Sequence, residues 1–195
     1  MRFLSLLLAS NSPRRRELLA EAGFEFATAA PGVLEKFDID LTVRELTAFN
    51  AIRKALSVAR ANPKKIVLAA DTLVVLDDQV IGKPKDADEA VAILRRLSGR
   101  AHEVCSSVFI CHLTRAKSTS FDEISRVYFR DLSDSAIRDY IDKVNPLDKA
   151  GAYAAQGYGV EIIERIEGSY TNVVGLPMEK TTVALARFGL KPAGA

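Results

Sequence analysis

The stretch Ile66–Leu76 is eleven residues long and apolar except at Asp71 and Thr72. Its length and content of β-branched residues predict a buried strand, with Asp77-Asp78 supplying a turn and Val80-Ile81 starting a return strand. A carboxylate left unpaired in such a strand would be costly to bury. Asp71 therefore belongs at a cleft, a metal or a buried hydrogen-bond network. Two readings stay open at this point: a general base or metal ligand, and a structural aspartate at a strand kink.

The rest of the chain supplies a sheet and its cover. Phe3–Leu8 reads as a first strand. Ser12-Pro13 forms an N-cap with proline at the first helical position, and the helix runs to about Ala22 with Gly23 as its stop. From Val43 to Arg60, Leu46, Phe49, Ile52, Leu56 and Ala59 recur at three- and four-residue steps, predicting a helix ended by Asn62-Pro63. Further helices are expected at Ala87–Leu97 (with Ala90, Val91, Leu94 and Leu97 on one face), Ser135–Val144 and Met178–Phe188. Further strands are expected at His102–Cys111, Ile124–Phe129 and Val160–Ile166. Helices and strands alternate without strict β-α-β regularity, so the expected class is α/β with a mixed sheet. The 195 residues suit one domain or two closely packed lobes, with no repeat or separable linker.

Composition excludes several classes. With 48% apolar residues and no dominant charge block the chain is not disordered, and its formal charge of +2 argues against a general nucleic-acid or membrane binder. Cys105 and Cys111 lie about 20 Å apart if they share a strand, too far for a disulfide unless the strand folds back. Two cysteines and two histidines (His102, His112) give no zinc pattern. The opening apolar run is shorter than a secretory core, and no run approaches the ~18 apolar residues of a membrane span. The expected location is the cytoplasm.

Ser10-Asn11-Ser12-Pro13-Arg14-Arg15-Arg16 breaks a rule, because arginines occupy a helix's first turn, where its dipole favours carboxylates. An anion docked there would remove the conflict, met by backbone N–H groups, the Ser10 and Ser12 hydroxyls and the arginine forks. The bland alternative is that the arginines splay into solvent. If Asp77-Asp78 closes a hairpin, facing residues sum to about 155, which sets Lys83 or Pro84 of Gly82-Lys83-Pro84 opposite Asp71-Thr72. Asp148–Gly157 and Gly168–Pro177 pack small residues between polar ones, so each is either a ligand approach or a tight loop. Lys54 lies off the apolar stripe and reads from periodicity as a solvated lysine; Glu35 is unremarkable by itself. No Walker motif, G-x-G-x-x-G or G-x-S-x-G is present, and metal-assisted hydrolysis of a nucleotide phosphate fits these features best.

Taken in order, Ser10–Arg15, Ala70-Asp71-Thr72, Gly82-Lys83-Pro84, Leu97-Ser98-Gly99 with His102-Glu103-Val104, Asp148–Gly157 and Gly168–Pro177 resemble the Maf family of nucleoside triphosphate pyrophosphatases across nearly the whole chain. The resemblance implies an elongated α/β fold similar to the inosine triphosphate pyrophosphatases, with two lobes around a cleft. It implies hydrolysis of a nucleoside triphosphate to the monophosphate and pyrophosphate with a divalent cation, normally Mg²⁺, with Mn²⁺ as the alternative. By motif, Asp71 would accept the proton of the attacking water, and Ser10, Arg14, Arg15, Lys54 and Lys83 would bind phosphates. Glu35 would hold the metal with Asp71. Asp71-Thr72 and Ala152-Tyr153-Ala154-Ala155-Gln156-Gly157 resemble the branch acting on dTTP and UTP, which makes Arg14, Thr72 and Gln156 the specificity positions. A homodimer is implied as well. The alternatives are a pyrophosphatase for 7-methyl-GTP or other modified nucleotides, and a non-catalytic nucleotide-binding regulator of septum formation.

Overall fold

The computed structural model describes residues 5–37 and 40–193. In chain order the regular elements are β1 (Leu6–Ala9), α1 (Pro13–Glu21), β2 (Phe26–Ala29), α2 (Val43–Ala61), β3 (Ile66–Leu76), β4 (Gln79–Ile81), α3 (Ala87–Leu97), β5 (Ala101–His112), β6 (Lys117–Phe129), α4 (Asp134–Lys143), α5 (Gly159–Ile162), β7 (Ile163–Glu167), α6 (Tyr170–Val174) and α7 (Met178–Arg187). Among the described residues seven strands form a mixed sheet in the order β2-β1-β3-β5-β6-β7, with β4 pairing β3 off that path. The protein is α/β, as its pattern predicts. Residues 3 and 4 of the expected first strand lie outside the described residues.

Contacts divide the chain into two compact units. The first comprises Met1–Asp71, Ser106–Glu123 and Gly175–Ala195, and the second Thr72–Cys105 and Ile124–Val174.

In the first unit β1 lies parallel between β2 and β3, in register Leu6↔Phe26 and Leu6↔Ile66. The connection through α1 leads to one side of β1 and that through α2 returns to the other, so chain direction switches at the carboxyl end of β1. Crevices at such switch points are where open α/β sheets bind ligands. One face of these strands presents Leu7, Ala9, Val67 and Ala69, and Ala55, Val58 and Ala59 of α2 pack on it. Side chains alternate along a strand, so Asp71 shares the face of Val67 and Ala69 and is directed toward α2. Local signals set the helix ends. Thr42 and Glu45 form a reciprocal capping box for α2, and Ser12 caps α1 with Pro13 in its first turn.

In the second unit the β3–β4 hairpin pairs Val74↔Ile81, Val75↔Val80 and Leu76↔Gln79, the expected sum of 155. Asp77 and Asp78 turn with φ of 51° and 60°, a conformation aspartate tolerates better than most residues. The ladder ends at Ile81. The Gly82 carbonyl instead accepts from the Gly151 amide at 3.0 Å. Lys83 and Pro84 follow the ladder's last pair without regular structure of their own. Helix α3 has its expected bounds and buries Ala90, Ile93, Leu94 and Leu97, with Ile93 rather than Val91 on the inner face. The strand expected over Val160–Ile166 begins instead with the single helical turn α5, where Val160 is 73% exposed, and β7 follows from Ile163. The Gly159 amide bonds the Gln156 carbonyl and that of Glu161 the Tyr158 carbonyl, so this backbone is satisfied locally. β2 and α6 carry too few patterned residues to be anticipated. Cys105 and Cys111, both buried on β5, are not joined in a disulfide. No described helix is long and apolar enough to cross a membrane.

Candidate active site

The first unit assembles an ionic cluster around Asp71, which is 2% exposed. Lys54 Nζ donates to Asp71 Oδ1 at 2.6 Å and to Glu35 Oε1 at 2.5 Å. Asn50 Nδ2 donates to Asp71 Oδ2 at 3.3 Å. Each Asp71 oxygen thus meets a donor from one of two successive turns of α2. The expectation of a solvated Lys54 is overturned, since its residue exposure is 6%. The face α2 buries is Leu46, Thr47, Asn50, Ala51, Lys54, Ala55, Val58 and Ala59, while Phe49 is 40% exposed. Asn50 and Lys54 occupy that face because a buried acid lies opposite them, while Thr47 Oγ1 meets Ser107 Oγ of β5 at 2.8 Å. The small side chains of Ala51, Ala55 and Ala59 let the helix approach the strand closely enough for contact.

Glu35 sits in a segment without regular structure that α2 fastens residue by residue. Ser57 donates to the Pro31 carbonyl at 2.6 Å, Arg53 to the Leu34 carbonyl at 2.8 Å, and Asn50 to the Lys36 carbonyl at 3.0 Å. The Lys36 amide donates back to Asn50 Oδ1 at 2.9 Å. These bonds satisfy backbone groups that a strand or helix would otherwise pair.

At the carboxyl end of β1, Ser10 Oγ accepts from the Ser12 amide at 3.1 Å and from Arg15 Nη1 at 3.4 Å. Arg15 is turned inward, and its Nε donates to the Gly175 carbonyl at 2.8 Å. Arg14 is half-buried and Arg16 exposed. Consecutive helical residues point about 100° apart, and of the three arginines Arg15 is the buried one. The charge of Arg15 reaches Asp71 and Glu35. Burial lowers its proton affinity, and those two carboxylates work against that effect. Burial likewise pushes the Asp71 carboxyl above the usual carboxylate range, and the Glu35 charge adds to the rise. Lys54 opposes it most strongly, with Arg15 behind.

Two converging carboxylates suit a small hard cation. Mg²⁺ is usually held by one or two carboxylates, the remaining positions being filled by water and substrate phosphates. Among the described residues no group of three or more His, Cys, Asp or Glu side chains forms a fuller cage. Asp71 and Glu35 are the two carboxylates such a cation would meet here, and Lys54 already bonds both.

Thr72, Lys83 and Gln156 belong to the second unit. Thr72 and Gln156 are half-buried, and Lys83 is exposed beyond the end of β4. The segment carrying Gln156 is firmly anchored. Tyr153 Oη lies 2.7 Å from His102 Nε2, and the Ala154 amide donates to Tyr140 Oη at 3.0 Å. His102, Phe129 and Tyr153 meet edge to face, with ring centroids 4.9–5.3 Å apart. At Gly151 (φ 72°) an added Cβ would lie 3.1 Å from Val74 and Tyr153 side-chain atoms, so both backbone shape and space call for glycine there. The chain from Gly151 to Gln156 is thus a held strap rather than a loose loop.

Asn50 is the residue that periodicity gives no reason to single out. The signal that finds it is the four-residue spacing Leu46–Asn50–Lys54, on the face that also carries Ala51 and Ala55.

Residues 5–188 match the family described as Maf-like protein. The chain is 42% identical over 187 residues to a dTTP/UTP pyrophosphatase of Bacillus pumilus, spanning 96% of this chain and 98% of that protein. It is 44% identical over 182 residues to a dTTP/UTP pyrophosphatase of Syntrophomonas wolfei, spanning 93% and 96%. A solved structure from Mycobacterium abscessus, a nucleoside-triphosphatase / dITP/XTP pyrophosphatase, aligns with a TM-score of 0.45 at 15% identity over 95% of this chain and 98% of that one. With the family match running through nearly every described element and relatives this similar end to end, the chain belongs to the Maf family.

Proposed function

We propose that the protein is a nucleoside triphosphate pyrophosphatase that hydrolyses dTTP and UTP to the monophosphate and pyrophosphate. The observation that carries the reading is the Asp71–Lys54–Glu35 cluster: a buried base candidate, its cation and a second acid at the switch point of the parallel strands β2, β1 and β3. The names of relatives at 42–44% identity support the substrate pair.

Asp71 takes the proton of a water that attacks the α-phosphorus in line with the departing pyrophosphate. Oδ2 is the accepting oxygen, because its one donor, Asn50, is neutral and distant, whereas Oδ1 is held by the Lys54 ammonium. Lys54 favours the ionised form of Asp71 against the effect of burial. Ser10, Arg14 and Arg15 at the start of α1 bind phosphate oxygens and stabilise the charge that collects on the leaving group. Asp71 and Glu35 would hold a divalent cation, Mg²⁺ or Mn²⁺, which would neutralise phosphate charge and polarise the reacting phosphoryl group. The roles of Thr72, Lys83 and Gln156 stand on the motif match alone. Gln156 offers the donor–acceptor pair that a uracil or thymine edge complements. We further propose a cytoplasmic homodimer, a reducing compartment being consistent with two buried thiols.

A panel of dTTP, UTP, CTP and 7-methyl-GTP, with and without Mg²⁺, tests the reading. The expected outcome is Mg²⁺-dependent pyrophosphate release from dTTP and UTP above the other two. Asp71→Asn should stay folded and lose turnover, and full activity in that variant would remove Asp71 from the mechanism. In ¹⁸O-labelled water the label should enter the monophosphate; label in pyrophosphate rejects attack at the α-phosphorus.

A further inference from the structure

Asn50 is 1% exposed and makes three hydrogen bonds, all at the heart of the candidate site. Its amide pairs with both backbone groups of Lys36, as a neighbouring strand would, and its second N–H reaches Asp71 Oδ2. Only one orientation of the amide works. Flipping it would set its NH₂ against the Lys36 amide and its oxygen against a carbonyl and a carboxylate. The side chain is therefore locked, and whatever it holds is locked with it. It holds two things: the carboxylate of Asp71, and the chain position next to Glu35. Lys54, one turn later on α2, bonds the carboxylates of the same two acids.

We infer that Asn50 is a positioning residue for pyrophosphate release, fixing Asp71 and Glu35 relative to each other. Lys54 draws the two carboxylates together by charge, and charge alone has little directional preference. Asn50 supplies the direction. It sets the plane of Asp71 through Oδ2 and fixes the backbone from which Glu35 projects. Misplacement of reacting groups by an ångström costs rate rather than affinity, so the effect belongs in kcat. The inference rests on the reading of Asp71 as the proton acceptor.

The test uses Asn50→Leu, of similar size but without hydrogen bonds, and Asn50→Asp, which keeps the acceptor for the Lys36 amide and loses both donated bonds. Steady-state kinetics with dTTP and Mg²⁺ are measured beside amide hydrogen exchange of the whole chain. Asn50→Leu should lower kcat about tenfold or more, within the 10–100-fold range seen when partners of liganding groups are removed, with KM changed less than about threefold. Its Lys36 amide should exchange faster while the amides along α2 keep their protection. Asn50→Asp should lose kcat as well and retain Lys36 protection. Wild-type kcat in either variant overturns the inference, as does unchanged Lys36 exchange in Asn50→Leu, or loss of protection throughout α2. If Asn50→Leu does not fold, Asn50→Asp decides by the same two readouts. Absence of turnover in the unaltered protein would instead overturn the pyrophosphatase reading, while the exchange measurement would still decide whether Asn50 holds Lys36.

Discussion

Replacing Lys54 with methionine keeps the length of the side chain and removes the ammonium bonded to both acids. The Asp71 and Glu35 oxygens each lie within 2.6 Å of the ammonium, so they can be no more than about 5 Å apart. At an effective dielectric of about 20, two such charges repel by about 3 kcal/mol, and breaking a buried pair costs about 3–5 kcal/mol. Glu35 keeps 27% of its side chain exposed and is partly screened, so about 2–4 kcal/mol at pH 7.5 is expected. The cost should depend on pH. Burial already raises the Asp71 pKa in the folded protein, and losing Lys54 removes the strongest influence holding it down. The folded variant then binds a proton more tightly than the unfolded chain. Its stability is greatest below the ordinary carboxylate pKa and falls, by at most about 1.4 kcal/mol per pH unit, as pH rises through the folded value. Urea unfolding of Lys54→Met and wild type from pH 4 to 7.5, without divalent cations, reads this directly: the difference should grow as pH rises above the ordinary carboxylate pKa. Adding Glu35→Gln to the variant should recover about 1–2 kcal/mol at the upper end. A difference that stays flat across this range, or below about 1 kcal/mol at pH 7.5, would show that Lys54 does not hold the acids as charges.

His102 should give the opposite pH dependence. Burial lowers its pKa to about 4, so the folded protein resists protonating it. Stability should be fully present above pH 6.5 and lost as pH falls toward 4, by about 2–3 kcal/mol at pH 4.5. His102→Phe should remove that acid sensitivity; identical acid profiles for the two proteins in urea unfolding would refute it. At Gly159 an added Cβ would stand 2.5 Å from the Ala154 carbonyl oxygen, a backbone atom that cannot rotate away. Gly159→Ala should cost about 1–3 kcal/mol in thermal unfolding and raise KM for dTTP through displacement of Gln156, and a variant with unaltered KM would detach that segment from nucleotide binding.

The elements readable from sequence were those in which local signals and periodicity agree. Strand β3 and helix α3 take their anticipated bounds because one is a long apolar run closed by a turn and the other has Asp86 as its cap, acids in its first turn and arginines in its last. The elements that escaped are short and held by neighbours. β2 is four residues, Phe-Ala-Thr-Ala, paired with β1 along its length, and its sequence has little strand preference of its own. α5 reads as strand because Val160, Ile162 and Ile163 are β-branched, yet two turn-like bonds after Gly157 close a helical turn first and leave Val160 in solvent.

Helix α2 shows why the candidate site was only half legible. Hydrophobic periodicity assumes that the buried face of a helix is its most apolar face, which holds when the opposing surface is apolar. Here the surface changes along the helix. Val58 and Ala59 meet Val67, Ala69 and the rest of an apolar cluster, whereas Asn50 and Lys54 one or two turns earlier meet the carboxylate of Asp71. The most favourable rotation brings polar groups inward at one end, and it leaves Phe49 40% exposed as the consequence. Sequence could place an acid in a buried strand and reason that it needs a partner. It could not say which helix would supply one, because that depends on which face of β3 Asp71 occupies and on the helix that crosses there. Asp71 at an odd-numbered strand position, on the side of Val67 and Ala69, settles both. A buried charge in a strand thus predicts a misoriented amphipathic helix elsewhere in the chain. Charged or amide residues at four-residue spacing beside an alanine stripe are where to look for it.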